Sequence, residues 1–143
     1  LCSDILYLER NLRQTTIYTR TGTYPDILRD PFTGKDFINT TDLSSIFFNL
    51  LDNAIESCNA SGNPDPEIRL SANISNGFLT VYMHNTKNPM QTFTHKTTKS
   101  EPGAHGYGLS IIEDICQKYN GSYQWIDHNN TFDSIVLLQI KNL

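Results

Sequence analysis

Between two runs of strand-forming residues, Glu67–Ser75 and Phe78–Asn85, the chain has only the dipeptide Asn76-Gly77. A linker that short joins antiparallel strands, and Asn-Gly suits the type I′ turn, whose two central residues both need positive φ. The stretch before this hairpin supplies a layer to cover one of its faces. From about Leu43 to Asn59, the residues Leu43, Phe47, Leu50, Leu51, Ala54, Ile55 and Cys58 form a wide apolar stripe at helical spacing. Thr41 or Asp42 stands where an N-cap oxygen is needed, and Ser61-Gly62-Asn63-Pro64 stops the helix.

A second helix is expected from Tyr107 to Tyr119, closed by Asn120-Gly121 as a C-cap. Two strands follow, Ser122–Asp127 and Phe132–Ile140, around the turn His128-Asn129-Asn130. Ahead of the first long helix, Thr15–Thr19 reads as a strand, and the Pro- and Gly-bearing stretch Tyr24–Lys35 as loop. Leu1, Ile5, Leu8 and Leu12 recur at helical spacing and predict a short helical tail. The polar stretch from Thr86 to His105 has no periodicity, and loops of about twenty residues inside a compact domain commonly cover a site. The resulting order of strand, helix, hairpin, lid, helix, hairpin predicts an α+β two-layer sandwich. Its sheet is mixed and mostly antiparallel, with helices on one face.

The 143 residues suit one domain, and 38% hydrophobic residues with 18% charged ones exclude a disordered chain. No apolar run approaches the roughly 20 residues of a membrane-spanning helix. The start, Leu1-Cys2-Ser3-Asp4, lacks the layout of a signal peptide and has no initiator Met, so the chain reads as a piece of a longer protein. Fifteen acids against eleven bases give a net charge of −4, without the basic balance or basic stripe that a nucleic-acid-binding protein usually shows. Cys2, Cys58 and Cys116 are scattered, with no C-x-x-C pattern, and suit a reducing compartment as small buried hydrophobes.

Two features carry chemistry. Asn49, Asn53 and Glu56 stand at i, i+4 and i+7, along one flank of the first long helix. An amide oxygen there can join the oxygen shell of Mg²⁺ without repelling the phosphates the ion carries. Solvated asparagines are the equally simple alternative. The second feature is Gly103-Ala104-His105-Gly106-Tyr107-Gly108-Leu109, leading into a helix. Free N–H groups at a helix start favour phosphate, and glycine admits a close backbone approach. The glycine spacing is neither that of a dinucleotide-binding fingerprint nor that of a Walker loop.

Taken together and in order, these features resemble the GHKL superfamily of ATP-binding domains. Phe48-Asn49-Leu50-Leu51-Asp52-Asn53-Ala54-Ile55-Glu56-Ser57 is similar to the histidine-kinase N box. Thr97-Thr98-Lys99, followed by His105-Gly106-Tyr107-Gly108-Leu109, resembles the G2 region of the quorum-sensing, accessory-gene-regulator type of sensor kinase. The resemblance spans about Thr15 to the C-terminus, which assigns 15–143 to the ATP-binding domain, with a lid at about 86–105, and 1–14 to the end of a dimerisation-region helix.

The resemblance implies that ATP and Mg²⁺ are the cofactors, with Asn53 binding the metal. It makes Asn49, Asn53, Asn85, Lys99, His105, Gly106, Tyr107, Gly108 and Leu109 the ATP-binding set. Hydrolysing members of the superfamily carry a Glu general base where this chain has Asn49, and an amide cannot serve as one. Phosphoryl transfer to another group is therefore favoured over hydrolysis. The orthodox Asp-x-Gly-x-Gly box is absent after the second hairpin strand. Val81, Met83 and Asn85 share a face, however, so Asn85 falls where the Asp would and can accept from adenine N6 as a neutral acceptor. Glu56 stands where many kinases place a phosphate-touching cation, and Lys99 or Lys96 of the lid would replace it. His84, on the other side of its strand, reads as structural, while His95 and His128 have no visible partner.

No His precedes His84, so the phosphoacceptor is expected on a separate dimerisation domain of the same protein. The implied setting is the cytoplasmic domain of a membrane-anchored bacterial sensor, a homodimer at full length, with a response regulator as further partner and no nucleic acid. Two alternatives remain open at this point: a GHKL serine kinase or ATPase, and a degenerate module acting through protein–protein contacts without nucleotide turnover.

Overall fold

The computed structural model describes the backbone of residues 2–10, 15–19, 23–24, 38–93 and 107–140, and the side chains of 38–93 and 108–140. Seven strands, β1 (Cys2–Arg10), β2 (Thr15–Thr19), β3 (Thr23–Tyr24), β4 (Ile68–Ser75), β5 (Phe78–Thr86), β6 (Ser122–Asp127) and β7 (Thr131–Gln139), form one sheet in the order β3-β2-β1-β4-β5-β7-β6. Two helices, α1 (Thr40–Asn59) and α2 (Tyr107–Lys118), complete the described elements. Every described strand pair is antiparallel, including β5 with β7, so no parallel pair occurs among the described residues. The sheet expected to be mixed is to that extent simpler than expected.

The hairpin forms as its turn residues dictate. Asn76 and Gly77 take φ of 54° and 79°, and Ser75 pairs with Phe78 across the turn. Along β5 the burial alternates, with Leu79, Val81, Met83 and Asn85 on the covered side. Val136 and Leu138 of β7 and Ala72 of β4 extend that covered face. Phe47, Ile46 and Leu50 of α1, with Ile112 of α2, fill the space above it. Helices on one face of an antiparallel sheet give the expected two-layer α+β sandwich.

Several details differ from the sequence expectation. The N-cap of α1 is Asn39, not Thr41 or Asp42: its side chain accepts from Thr41 N at 2.7 Å. Asp42 is instead drawn across to α2, accepting from Lys118 Nζ and Tyr119 Oη, each at 2.7 Å. Ile55, placed in the apolar stripe, is 48% exposed, while Ile46 is fully buried.

The largest difference lies at the N-terminus. Within the stretch Leu1–Leu12, expected to be helical, Cys2–Arg10 is strand β1, paired with β4 from Cys2 to Asp4 and with β2 from Ile5 to Arg10; Leu1, Asn11 and Leu12 lie outside the described residues. One short helix alone is marginal in water. The contiguous run Ile5-Leu6-Tyr7-Leu8 fits a sheet, and the edge of β4 offers unpaired backbone groups that a strand satisfies and a helix cannot.

The C-cap of α2 is a Schellman motif. Asn120 takes the left-handed conformation, φ 51°, while Asn120 N donates to Gln117 O and Gly121 N to Cys116 O. Gly121 serves a different need, because a Cβ there would lie 1.8 Å from Leu137 O. Its glycine thus lets the helix exit pass against β7.

Candidate functional site

The polar flank of α1 carries Asn49, Asn53 and Glu56, all half-buried. The Asn49 amide nitrogen donates to Ser45 O, one turn back, at 2.7 Å. Held so, its Oδ1 faces Gly108 in the first turn of α2. A Cβ on Gly108 would sit 2.8 Å from that oxygen and 3.3 Å from Asn49 Cβ and Cγ. Glycine at 108 is therefore what lets α2 start against the asparagine of α1. One turn further along, the amide of Asn53 makes no hydrogen bond to a described residue.

The other end of α1 meets the end of β5. The Cys58 thiol donates to Glu67 O and Thr86 O, each at 3.6 Å. Thr86 is gripped by the lead-in to β4, donating to Glu67 O and accepting from Glu67 N at its Oγ1, both at 3.0 Å. Its neighbour Asn85 is only 4% exposed and donates from Nδ2 to Thr86 O at 3.0 Å. Among the described residues, Asn73 Oδ1 is the one sealed side-chain polar atom without a partner. Asn85 Oδ1 accepts a hydrogen bond from no described residue. From Asn49 to Cys58, nine helical residues span about 13 Å. That is the scale of an extended nucleoside triphosphate.

Beyond Thr86 stands a buried cation that the sequence reading did not single out. Lys87, 7% exposed, donates from Nζ to Asn129 O (2.9 Å) and Asn88 O (3.1 Å), and pairs with Asp127 Oδ1 (3.3 Å). Its backbone N donates to Asn130 O at 3.0 Å. Burial alone would raise the Asp127 carboxyl, but hydrogen bonds from Asn129 N, Phe93 N and Lys87 outweigh it and hold the group below the usual carboxylate range. No spacing rule marks such a lysine, because the hairpin turn that binds it lies forty residues away in sequence.

On the opposite face of the sheet, His84 contacts Asp133, its cross-strand neighbour. Tyr82 Oη donates to the same carboxylate at 3.1 Å, and His128 Nε2 lies 3.0 Å from it. His84 is thus part of a side-chain network, as its strand parity implied. His128, expected to lack a partner, has one in Asp133. Burial opposes ionisation of Asp133, yet the bonds from His84, Tyr82 and His128 prevail and its pKa is lowered.

A family model described as a GHKL domain matches residues 38–142. The chain belongs to the GHKL family. Among solved structures, a nucleotide-free form of the catalytic domain of histidine kinase ThkA matches at 20% identity, with a TM-score of 0.56 over 71% of this chain and 67% of that one. A second nucleotide-free form of the same domain reaches a TM-score of 0.59 at 18% identity, covering 73% and 71%. The Acinetobacter baumannii histidine kinase AdeS matches at 14% identity and a TM-score of 0.54, covering 73% of this chain and 48% of that chain. At these identities the likeness is one of fold. Comparison with the sequences of curated proteins returns no match.

Within this GHKL domain, the expected site residues Asn49 and Gly108 are brought into contact, and Asn53 lies on the same flank of α1. Leu109 packs against the core from the first turn of α2. Asn85 stands at the covered end of β5, where parity placed it. Tyr107 opens α2, with only its backbone described. Lys99, His105 and Gly106, with Lys96 and His95, lie outside the described residues, as does the expected lid beyond Phe93.

Proposed function

We propose that this GHKL domain binds Mg-ATP and presents its γ-phosphoryl group to a histidine on a dimerisation domain outside the chain. One observation carries the reading: α1 joins two half-sites. Its middle holds Asn49 against Gly108, with the Asn53 amide bonded to no described residue, and its end reaches through Cys58 to the Thr86 carbonyl, which also takes the Asn85 amide nitrogen. Asn85 Oδ1 would accept from adenine N6, while its nitrogen is already engaged with Thr86 O. Asn53 Oδ1 would enter the oxygen shell of Mg²⁺. The bound ion would offset charge on the β- and γ-phosphates. The first backbone N–H groups of a helix such as α2 have no partner within the helix and suit phosphate oxygens.

Asn49 cannot take a proton from water, and its amide is engaged with Ser45 O, which disfavours hydrolysis relative to transfer. The missing glycine pair after β5 and the Thr97-Thr98-Lys99 segment support the quorum-sensing type of sensor kinase, with a response regulator downstream. We place the domain on the cytoplasmic side of such a sensor, where ATP is available.

Incubation of the longer protein with γ-labelled ATP tests the reading. Label that is stable in alkali and lost in acid marks phosphohistidine and supports it. Acid-stable label would instead indicate a serine kinase, and release of phosphate without labelling an ATPase. A folded protein that neither binds nor consumes ATP would leave the protein–protein module.

A further inference from the structure

The residues after β5 present a lysine beside a site read as nucleotide-binding, and such a lysine is ordinarily taken as a phosphate ligand. The geometry here argues otherwise. Lys87 Nζ donates to Asn88 O and Asn129 O and is ion-paired with Asp127 Oδ1, all within the protein. An ammonium 8% exposed and so engaged would have to surrender buried partners to reach a ligand. Asp127 also accepts from Phe93 N at 3.2 Å and from Asn129 N at 2.8 Å, and the Phe93 ring lies 4.8 Å from that of Phe132. Residues 87–93 are thus fastened at both ends to the β6–β7 turn. On the other side, Thr86 is fastened to Glu67. Asn85 sits immediately before this doubly held stretch, and its amide is oriented by Thr86 O.

Resting on the nucleotide-binding reading above, we infer that Lys87, through its pair with Asp127, is a positioning residue that sets base selectivity. The Thr86 carbonyl shares its peptide plane with the Lys87 N–H, which donates to Asn130 O at 3.0 Å, so the anchor that holds Lys87 also sets this carbonyl, which keeps Asn85 Nδ2 occupied and presents Oδ1, an acceptor, to the base. An acceptor matches the amino group of adenine and opposes the carbonyl of guanine. With the anchor loosened, the Asn85 amide is free to turn and offer its nitrogen, which guanine O6 accepts.

Calorimetric affinities of the Mg²⁺ complexes of non-hydrolysable ATP and GTP analogues test this, measured on the wild-type protein, Lys87→Met and Asp127→Asn. The wild-type protein is expected to prefer the ATP analogue, and Lys87→Met to lose about tenfold of that preference, the scale of one mis-set hydrogen bond. Asp127→Asn is expected to shift the preference the same way by a smaller factor, and it decides the matter alone if Lys87→Met does not fold. An equal loss for both analogues would reduce Lys87 to a stabilising role and overturn the inference, as would an unchanged ratio. A folded wild-type protein that binds neither analogue would overturn the nucleotide-binding reading itself, and this inference with it.

Discussion

Gly108→Ala separates the stability of the fold from the fitness of the site. The new methyl would lie 2.8 Å from Asn49 Oδ1 and 3.3 Å from Asn49 Cβ and Cγ, so the asparagine must swing away. In doing so it gives up its 2.7 Å bond to Ser45 O. That loss is about 0.5–1.5 kcal/mol. Against it, replacing glycine within a helix contributes up to about 1 kcal/mol. The two nearly cancel, and the midpoint of thermal unfolding is expected to move little. Nucleotide affinity should not be spared, because the displaced side chain moves into the space between α1 and the start of α2. A loss of at least about tenfold for the Mg²⁺ complex of an ATP analogue is expected, equivalent to about 1.4 kcal/mol. Calorimetry beside a melting curve checks both numbers. Unchanged affinity in a folded Gly108→Ala protein would refute the placement of the site at the α1–α2 contact.

Gly121→Ala should behave oppositely, since its Cβ would meet Leu137 O at 1.8 Å and only backbone movement relieves the clash. A cost of about 3 kcal/mol or more, or failure to fold, is expected in chemical denaturation. Tyr119→Phe removes a hydroxyl that donates to Asp42 Oδ2 at 2.7 Å and accepts from Asn39 N at 2.9 Å. Urea unfolding is expected to show a loss of about 1–2 kcal/mol with an unchanged slope. Asp133 is held below its ordinary range in the folded state despite its burial. Its contribution is therefore present above the unfolded carboxylate value, about pH 3.9, and is lost as pH falls through the lower folded value. Stability measured from pH 6 to pH 2 should fall less steeply in Asp133→Asn than in the wild-type protein, and parallel curves would contradict that assignment.

What the sequence disclosed follows from how local each cause is. The Asn76-Gly77 turn, the α1 stripe and the Asn120-Gly121 cap depend on neighbours within a few positions; the turn and the cap formed as their residues require, and so did the stripe except that Ile46 is buried where Ile55 is exposed. Strand parity likewise carried Asn85 to the covered side of β5 and His84 to the other. Local pattern failed where a distant partner decided the outcome. The periodicity of Leu1–Leu12 is helical, yet pairing with β4 and β2 makes Cys2–Arg10 a strand. Asp42 would cap a helix in isolation, but Lys118 and Tyr119, more than seventy residues on, claim its carboxylate. Lys87 acquires its partners only when the β6–β7 turn folds back beside β5, whereas His128 finds Asp133 five residues on, within its own hairpin. Asn49 and Gly108 were each legible as candidates, and their contact became visible only in three dimensions.

The most direct test of the central claim is calorimetric titration of a non-hydrolysable ATP analogue into this domain, with and without Mg²⁺, alongside Asn53→Ala. Asn53 makes no hydrogen bond to a described residue, so its truncation should leave the fold intact. The expected result is binding that requires Mg²⁺ in the wild-type protein and is lost in the variant. Binding that is indifferent to Mg²⁺ and to Asn53, or no binding at millimolar analogue by a folded protein, would contradict the account.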